Sequence, residues 1–134
     1  MKNYLGLVFL CFTIFWGSSF HAGPSRIRDI DDIVIAMKSG NATQLSRYFD
    51  SRVDISLPDK SDNYSRTQAE MVIRDFFSSN AVRNFEIKYK SESNGSKYCL
   101  GTLQTKNGDY QTKLLLKVKD NKQVLQEIAF QAIE

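Results

Sequence analysis

Carboxylates are the first side chains in this sequence that could do acid–base chemistry. Asp29, Asp31 and Asp32 lie close together, at the start of a predicted helix where the helix dipole favours negative charge. Asp54 and Glu127 each alternate with apolar residues and are expected to face water, because a buried acid without a partner is costly. The sequence therefore predicts no catalytic carboxylate.

Nucleophilic and metal chemistry lack the residues that they need. Beyond residue 22 there is no histidine, and Cys99 is the only cysteine. Cys99 lies in a strand-like stretch with no histidine to activate it, so we expect a buried, inert thiol. Zinc sites, calcium loops, glycine-rich phosphate loops and Ser-His-Asp triads each require patterns that are missing. We predict no metal and no cofactor.

Tyrosine hydroxyls are the remaining polar groups that a cavity could contain. The tyrosines on apolar faces could point their hydroxyls into a pocket, or could be large core residues whose hydroxyls reach the rim. Two threonines and one glutamine would join them if a pocket stays open, and the first predicted strand adds one aspartate. The pocket candidates are Tyr48, Asp54, Tyr98, Thr102, Tyr110, Thr112 and Gln126.

The amino-terminal residues have the pattern of a secretory signal peptide. Lys2 precedes an apolar run over residues 4–16, and small residues follow from Gly17. The run is shorter than the about 20 residues of a membrane span, although an uncleaved anchor is the alternative. We predict a signal over residues 1–22, cleaved after about Ser19 to Ala22, and one domain over residues 24–134. The processed chain would have no membrane span and would lie in the periplasm, the cell envelope or outside the cell.

Charge and cysteine content set limits on partners and stability. The formal charge of +3 would fall to +2 with the loss of Lys2, which is too little to predict nucleic-acid binding. A single remaining thiol allows no internal disulfide, so the domain must rely on core packing. Lysines of the later strands are expected on the outward sheet face, where they would contact an anionic partner or keep the surface solvated. They are Lys88, Lys90, Lys113, Lys117, Lys119 and Lys122.

Helical spacing predicts three helices. The first covers about residues 26–39, and Asn41 caps a second whose apolar side extends to Tyr48 and Phe49. Ser65-Arg-Thr-Gln68 is a capping box for the third. The apolar stripe of this third helix follows the i, i+3, i+4 pattern and consists of Ala69, Val72, Ile73, Phe76 and Phe77.

The rest of the chain predicts strands. A short strand over residues 53–57 is followed by a loop from Pro58 to Asn63. Phe85, Ile87 and Tyr89 alternate with charged residues. Asn-Gly pairs at 94–95 and 107–108 predict type I′ hairpin turns, and residues 120–122 predict a third turn. The predicted order is α-α-β-α-β-β-β-β, an α+β fold whose last four strands form an antiparallel meander packed on the helices.

Several segments resemble a known superfamily. They are Asp-Asp-Ile-Val-Ile-Ala-Met-Lys-Ser-Gly-Asn-Ala at 31–42, Leu-Ser-Arg-Tyr-Phe-Asp at 45–50, Ser-Leu-Pro-Asp-Lys at 56–60, Asp-Phe-Phe at 75–77 and Gly-Thr-Leu at 101–103. The chain resembles the nuclear transport factor 2-like proteins, also called ketosteroid-isomerase-like or cystatin-like in fold. It is similar in particular to a family of small secreted bacterial proteins of unassigned function. The resemblance implies three helices packed in the concave face of a bent antiparallel sheet.

The resemblance also bears on function. Enzymes of this superfamily carry a carboxylate base with a tyrosine, aspartate or histidine partner, and the matching elements here carry isoleucine, leucine, valine and phenylalanine. We therefore expect an exported, non-catalytic binding or interaction module that forms a homodimer through its sheet face or holds a small apolar ligand. The alternative is a small isomerase or dehydratase with a carboxylate–tyrosine pocket. A cystatin-like inhibitor is a weaker alternative, since the sequence has no Gln-x-Val-x-Gly segment.

Overall fold

A computed structural model describes residues 25–134, with side chains from Ile30 onward. The predicted signal peptide and its cleavage site lie outside the described residues. The described residues contain three helices: α1 at Ser25–Ser39, α2 at Ala42–Ser46 and α3 at Arg66–Asn80. None of the helices in this part of the chain is long and apolar enough to cross a membrane.

Side-chain caps begin the second and third helices as the sequence predicts. The Asn41 side chain accepts a hydrogen bond from the Gln44 N–H at 2.9 Å, and Ser65 accepts one from the Gln68 N–H at 3.3 Å. The predicted extension of α2 to Phe49 is wrong. The Tyr48 carbonyl instead accepts a 2.6 Å hydrogen bond from the Leu125 N–H, which turns the backbone into the sheet.

Within residues 25–134, six strands form one sheet in the order β2-β1-β6-β5-β4-β3. Strands β3 to β6 form the predicted antiparallel meander, whereas β1 runs parallel to β6, so the sheet is mixed. The helices pack on one face of this bent sheet, mainly α1 against β3 and α3 against β1. The strands are β1 Phe49–Leu57, β2 Lys60–Ser65, β3 Val82–Ser93, β4 Ser96–Thr105, β5 Gly108–Lys119 and β6 Lys122–Ala132.

Strand β2 corrects the predicted loop from Pro58 to Asn63. It pairs with β1 along its whole length, from Leu57 opposite Lys60 to Arg52 opposite Ser65. Most of its side chains are exposed because it is an edge strand with little core contact. Period-2 alternation arises when one face of a strand is buried, so β2 has no such signal in its sequence. The observed order is α-α-β-β-α-β-β-β-β.

The hairpin turns differ in type. Asn94 and Gly95 have φ values of 50° and 79°, which confirms a type I′ turn. The prediction of a second type I′ turn at residues 107–108 is wrong, because φ is positive at Gly108 but not at Asn107. Thr105 pairs directly with Gly108, and its hydroxyl accepts a hydrogen bond from the Asn107 N–H at 3.0 Å. The side chain of Thr105 thus holds a different turn.

A β-bulge in β3 changes which face of the sheet the following side chains lie on. Ile87 lies opposite Gly101, whereas Tyr89 lies opposite Leu100, so the register shifts by one residue between them. Opposed residues share a face of the sheet, and neighbours in β4 point to opposite faces. Tyr89 therefore lies on the outer face, 55% exposed, and does not continue the alternation from Phe85.

The core lies between the helices and the inner face of the sheet. The α3 stripe is buried as predicted, with Val72 only partly covered. The Phe76 ring stacks on Phe130 with centroids 4.5 Å apart, and Phe77 meets Phe130 edge-on at 6.4 Å. Aliphatic side chains of β4, β5 and β6 complete the interior. They are Leu103, Leu114, Leu116, Leu125 and Ile128, each with at most 1% of its surface exposed.

The lysines do not all share one face. Lys113 and Lys117 lie on the outer face, because Leu114 and Leu116 beside them are buried in the core. Lys90 lies opposite buried Cys99 and therefore on the inner side. The expectation of a single lysine-covered face is thus wrong in part, since the β3 bulge moves Lys90 to the other side.

Candidate functional site

The predicted pocket residues on the central strands lie on two faces of the sheet. Thr112 is fully buried on the inner face, and Tyr110 is partly buried on the same side. Tyr98 and Thr102 lie on the outer face, because Cys99 and the other alternate residues of β4 point into the core. These four residues therefore cannot line one pocket.

Tyr48 and Asp54 lie in separate places and bond to other side chains. The Tyr48 hydroxyl donates a 2.7 Å hydrogen bond to the carboxylate of Asp32. Asp54 is exposed and accepts a 2.7 Å hydrogen bond from the Asn63 side chain. Asp32 thus has a tertiary partner beyond the helix-start role that the sequence predicts for it.

Gln126, at a bulge in β6, belongs to a small polar network. Its amide donates a 2.8 Å hydrogen bond to Asp50, which also accepts from Lys119 at 3.2 Å. Burial raises the pKa of Asp50, but hydrogen bonds from Gln126, the Ser51 N–H and Lys119 outweigh burial and lower it. The network joins the start of β1 to the tip of the β5–β6 hairpin.

A groove of about 340 Å³ lies between α3 and the turn that joins β1 to β2; we call it the α3 groove. The most buried of its apolar side chains is Phe76. The apolar lining residues are Leu57, Pro58, Val72, Phe76 and Tyr110. Its exposed polar side chains are Asp59, Lys60, Asp75 and Ser79. An apolar floor with a polar rim is the usual composition of a small-molecule site.

Asn80, the last residue of α3, fixes the wall of the α3 groove. It is 7% exposed, and its amide nitrogen donates to the Phe76 carbonyl at 2.8 Å. Its side-chain oxygen accepts from the Tyr110 hydroxyl and from the Asn107 side chain, both at 3.0 Å. The Phe76 ring also meets the Tyr110 ring edge-on, with centroids 5.2 Å apart. The tyrosine is therefore held at both its ring and its hydroxyl.

This geometry limits the acid–base chemistry of the α3 groove. The Tyr110 hydroxyl directs its proton to Asn80, and Asp59 and Asp75 are exposed. A carboxylic acid that acts as a proton donor near neutral pH needs a raised pKa. The pKa values of Asp50, Glu70 and Glu86 are lowered, and none of these three carboxyls lines the α3 groove.

Cys99 and the other titratable groups form no reactive centre in the described part of the chain. Burial raises the pKa of the Cys99 thiol, and the nearby Lys97 and Lys90 charges offset only part of this rise. A raised pKa leaves the thiol protonated and unreactive. Within residues 30–134 no group of His, Cys, Asp and Glu side chains is placed to hold a metal ion.

The outer face of the sheet is a second candidate surface. Tyr98, Leu100 and Ala129 lie around a shallow depression of about 220 Å³. Lys113 lies beside them and pairs with Glu127 at 3.0 Å. The hydrogen bond from Lys113 to this carboxylate raises the lysine pKa. We call these five residues the outer patch.

Sequence reasoning missed Asn80 and the α3 groove as a whole. One signal was present: Asn80 lies four residues after Phe76 and seven after Ile73, so it continues the buried stripe of α3. A polar residue on a buried stripe must find hydrogen-bond partners. The sequence does not say which partners those are.

Comparisons with known proteins agree with this fold. A profile of the family described as Domain of unknown function (DUF4783) matches residues 30–131. A DUF4783 family protein from Bacteroides fragilis is similar, with 29% identity over 76% of this chain and 96% of that chain and a TM-score of 0.73. One from Bacteroides uniformis has 26% identity over 78% of this chain and 96% of that chain, with a TM-score of 0.75.

A more distant structure supports the fold alone. It is an NTF-2 like protein of unknown function from Silicibacter pomeroyi, with 13% identity, coverage of 80% of this chain and 92% of that chain, and a TM-score of 0.60. No match is found among curated proteins.

Proposed function

Because the chain belongs to the DUF4783 family and has a nuclear transport factor 2-like fold, we propose that it is an exported, non-catalytic binding module. Its ligand is a small molecule whose apolar group enters the α3 groove. The fixed Tyr110 supports this proposal most directly, because its ring and hydroxyl are both held before any ligand binds. A preformed wall lowers the ordering cost of binding.

The filled interior points to the α3 groove as the place for a ligand. Phe76, Phe77 and Phe130 occupy the space between α3 and the sheet. The groove lies at the edge of this packed region, and its volume of about 340 Å³ is within the usual range for small-ligand pockets. A ligand can therefore enter without repacking the core.

The rim charges favour a neutral or cationic ligand. Asp59 and Asp75 line the α3 groove, and among its described lining residues only Lys60 carries a balancing charge. An anionic ligand would place its negative charge beside these two carboxylates, and such like-charge contacts are unfavourable. We expect benzylamine or indole to bind better than an aliphatic carboxylate such as hexanoate.

A thermal-denaturation screen tests this proposal with benzylamine, indole and hexanoate as probes. A ligand that binds only the folded protein raises the midpoint temperature. Benzylamine or indole should raise it in the wild type, and Val72→Lys should remove the shift by placing a long charged side chain in the groove. Met71→Lys is the matched control, because Met71 is 56% exposed, does not line the groove and lies beside Val72 on α3. Equal shifts in both variants would contradict the proposal.

In the enzymatic alternative, a carboxylate takes a proton from the bound substrate and a phenol donates a proton or a hydrogen bond to it. Tyr110 is the phenol of the α3 groove, and its proton points to Asn80. An isomerase or dehydratase would therefore have to break this hydrogen bond at each turnover. This cost is why we favour binding over catalysis.

Export is the second part of the proposal and rests on residues 1–22. If the leader is a signal peptide, the chain recovered from the periplasm or medium of an expressing bacterium should begin between Phe20 and Gly23. Mass spectrometry of the amino terminus measures this directly. Recovery of the unprocessed chain in the membrane fraction would favour the uncleaved anchor.

We also propose that a second copy of this chain covers the outer patch. Leu100 and Ala129 are only half-buried there, on the face of the sheet that carries none of the three described helices. Lys113 and Glu127 place opposite charges side by side on this face. In a dimer with a two-fold axis, Lys113 of each copy can therefore lie opposite Glu127 of the other. Sedimentation equilibrium should show a dimer in the wild type and a monomer in Leu100→Arg. Gln104→Arg, at an exposed position on the same face of β4, should remain dimeric.

A further inference from the structure

A second cleft, separate from the α3 groove, lies at the tips of the β3–β4 and β5–β6 hairpins. It encloses about 520 Å³ and is lined by residues of both hairpins; we call it the tip cleft. Lys97 lies opposite Leu116 in the sheet, and Leu116 is fully buried. Because opposed residues share a face, the tip cleft lies on the inner face, just beyond the end of the core.

Gln123 is the unusual residue of the tip cleft. It is only 5% exposed, yet its side-chain oxygen has no hydrogen-bond partner among the described residues. The inner face of β6 continues with Leu125, Ile128 and Phe130, all buried. A leucine at position 123 would extend this apolar row without an unpaired polar atom. Buried polar atoms are nearly always paired with protein, water or ligand.

The remaining lining residues indicate the chemistry of a partner. Lys97 and Glu92 lie 3.6 Å apart and balance each other's charge, so the tip cleft favours a neutral ligand. Ser93 and Asn94 add a hydroxyl and an amide, and Val118, which is 36% exposed, adds an apolar contact. A ligand that fits needs several groups that both donate and accept hydrogen bonds, and some C–H surface.

We propose that the tip cleft binds a neutral carbohydrate. Sugar hydroxyls donate and accept hydrogen bonds, whereas an ammonium group only donates and a carboxylate only accepts. When the sugar binds, the Gln123 amide turns its enclosed oxygen toward the cleft, where one hydroxyl donates to it. A neighbouring hydroxyl accepts from Lys97, and the C–H face of the ring lies on Val118. The tip cleft and the α3 groove share no lining residue. The proposal for one can therefore be disproved without affecting the proposal for the other.

Titration with glucose, galactose, mannose and N-acetylglucosamine, followed by two-dimensional ¹H–¹⁵N NMR, tests the proposal. At least one sugar should cause saturable shifts of the backbone amides of Gly95, Lys97 and Gln123 at millimolar concentration. Absence of such shifts with all four sugars, or shifts confined to other residues, would overturn it.

Gln123→Leu separates a binding role from a structural one. Removing an unpaired buried oxygen should raise the midpoint temperature, by about 4–8 °C for each kcal/mol gained in a domain of this size. The same change should abolish the sugar-induced shifts. Gln104→Leu, at an exposed position of β4 that lines neither the tip cleft nor the outer depression, should change neither. A folded Gln123→Leu protein that is less stable, or that still binds sugar, would contradict the proposal.

Lys97→Met provides a second test that does not depend on the folding of Gln123→Leu. Loss of a hydrogen bond from a charged donor should weaken sugar binding by about tenfold or more. The amide spectrum outside the tip cleft should stay unchanged. Binding at wild-type affinity in this variant would remove Lys97 from the site and overturn the assignment.

Discussion

Replacing Asn80 with alanine tests whether the wall of the α3 groove is held as described. The change removes the acceptor of the Tyr110 hydroxyl and of the Asn107 amide, and the donor to the Phe76 carbonyl. Each neutral hydrogen bond contributes about 0.5–1.5 kcal/mol net, so the loss of all of them should lower the free energy of unfolding by about 2–4 kcal/mol. Urea denaturation followed by circular dichroism measures this change.

A double-mutant cycle with Tyr110→Phe isolates the bond between the two side chains. The single change Tyr110→Phe keeps the ring on Phe76 and removes only the hydroxyl, so it should cost about 0.5–1.5 kcal/mol. If the bond is real, the two changes together should cost less than their sum by about 0.5 kcal/mol or more. Asn107→Ala, which removes one of the other partners of Asn80, should show a smaller loss than Asn80→Ala. An Asn80→Ala loss below about 0.5 kcal/mol, or strict additivity with Tyr110→Phe, would refute this reasoning.

Three further predictions concern packing, reactivity and pH. Gly101→Ala should destabilise the fold by about 1–3 kcal/mol in urea denaturation, because its new Cβ would lie 2.6 Å from the Glu86 carbonyl and 2.7 Å from the Phe85 ring; a neutral effect would contradict the close packing. Cys99 should react with a thiol reagent at pH 8 only in denaturant, since burial raises its pKa; rapid reaction of the native protein would argue against this. The pKa of Asp50 lies below its ordinary value of 3.8, so its carboxylate stabilises the fold above that pH, and this contribution is lost as pH falls through the folded-state pKa. The wild type should therefore lose stability more steeply than Asp50→Asn below about pH 4 in acid titrations, and parallel curves would exclude the effect.

Elements that are determined by residues close together in the sequence could be predicted. Asn41 and Ser65 begin α2 and α3 because their side chains accept hydrogen bonds from backbone groups three residues later. Asn94-Gly95 forms its turn because both residues tolerate positive φ. The apolar stripe of α3 could be predicted to lie in the core because the spacing of its residues matches the period of a helix.

Features that depend on distant contacts could not be predicted. Strand β2 exists because β1 offers a free edge, and its own residues carry no alternation. The bulge that turns Tyr89 to the outer face follows from pairing with β4. The turn before Gly108 depends on the hydroxyl of Thr105.

The candidate sites were harder to predict than the fold. The α3 groove joins Leu57, Val72 and Tyr110, which are far apart in sequence and meet only in the folded domain. The sequence indicates pocket residues only as polar side chains next to apolar ones. That criterion cannot tell which face of the sheet the β4 residues occupy, and so it grouped Tyr98 with Tyr110.

The most direct test of the central claim is a ¹H–¹⁵N NMR titration of the protein with benzylamine. Binding without chemistry in the α3 groove predicts saturable shifts confined to residues 57–60, 72–80 and 110, with benzylamine recovered unchanged. Shifts spread over other surfaces would contradict the account, as would the absence of shifts with both benzylamine and indole at millimolar concentration.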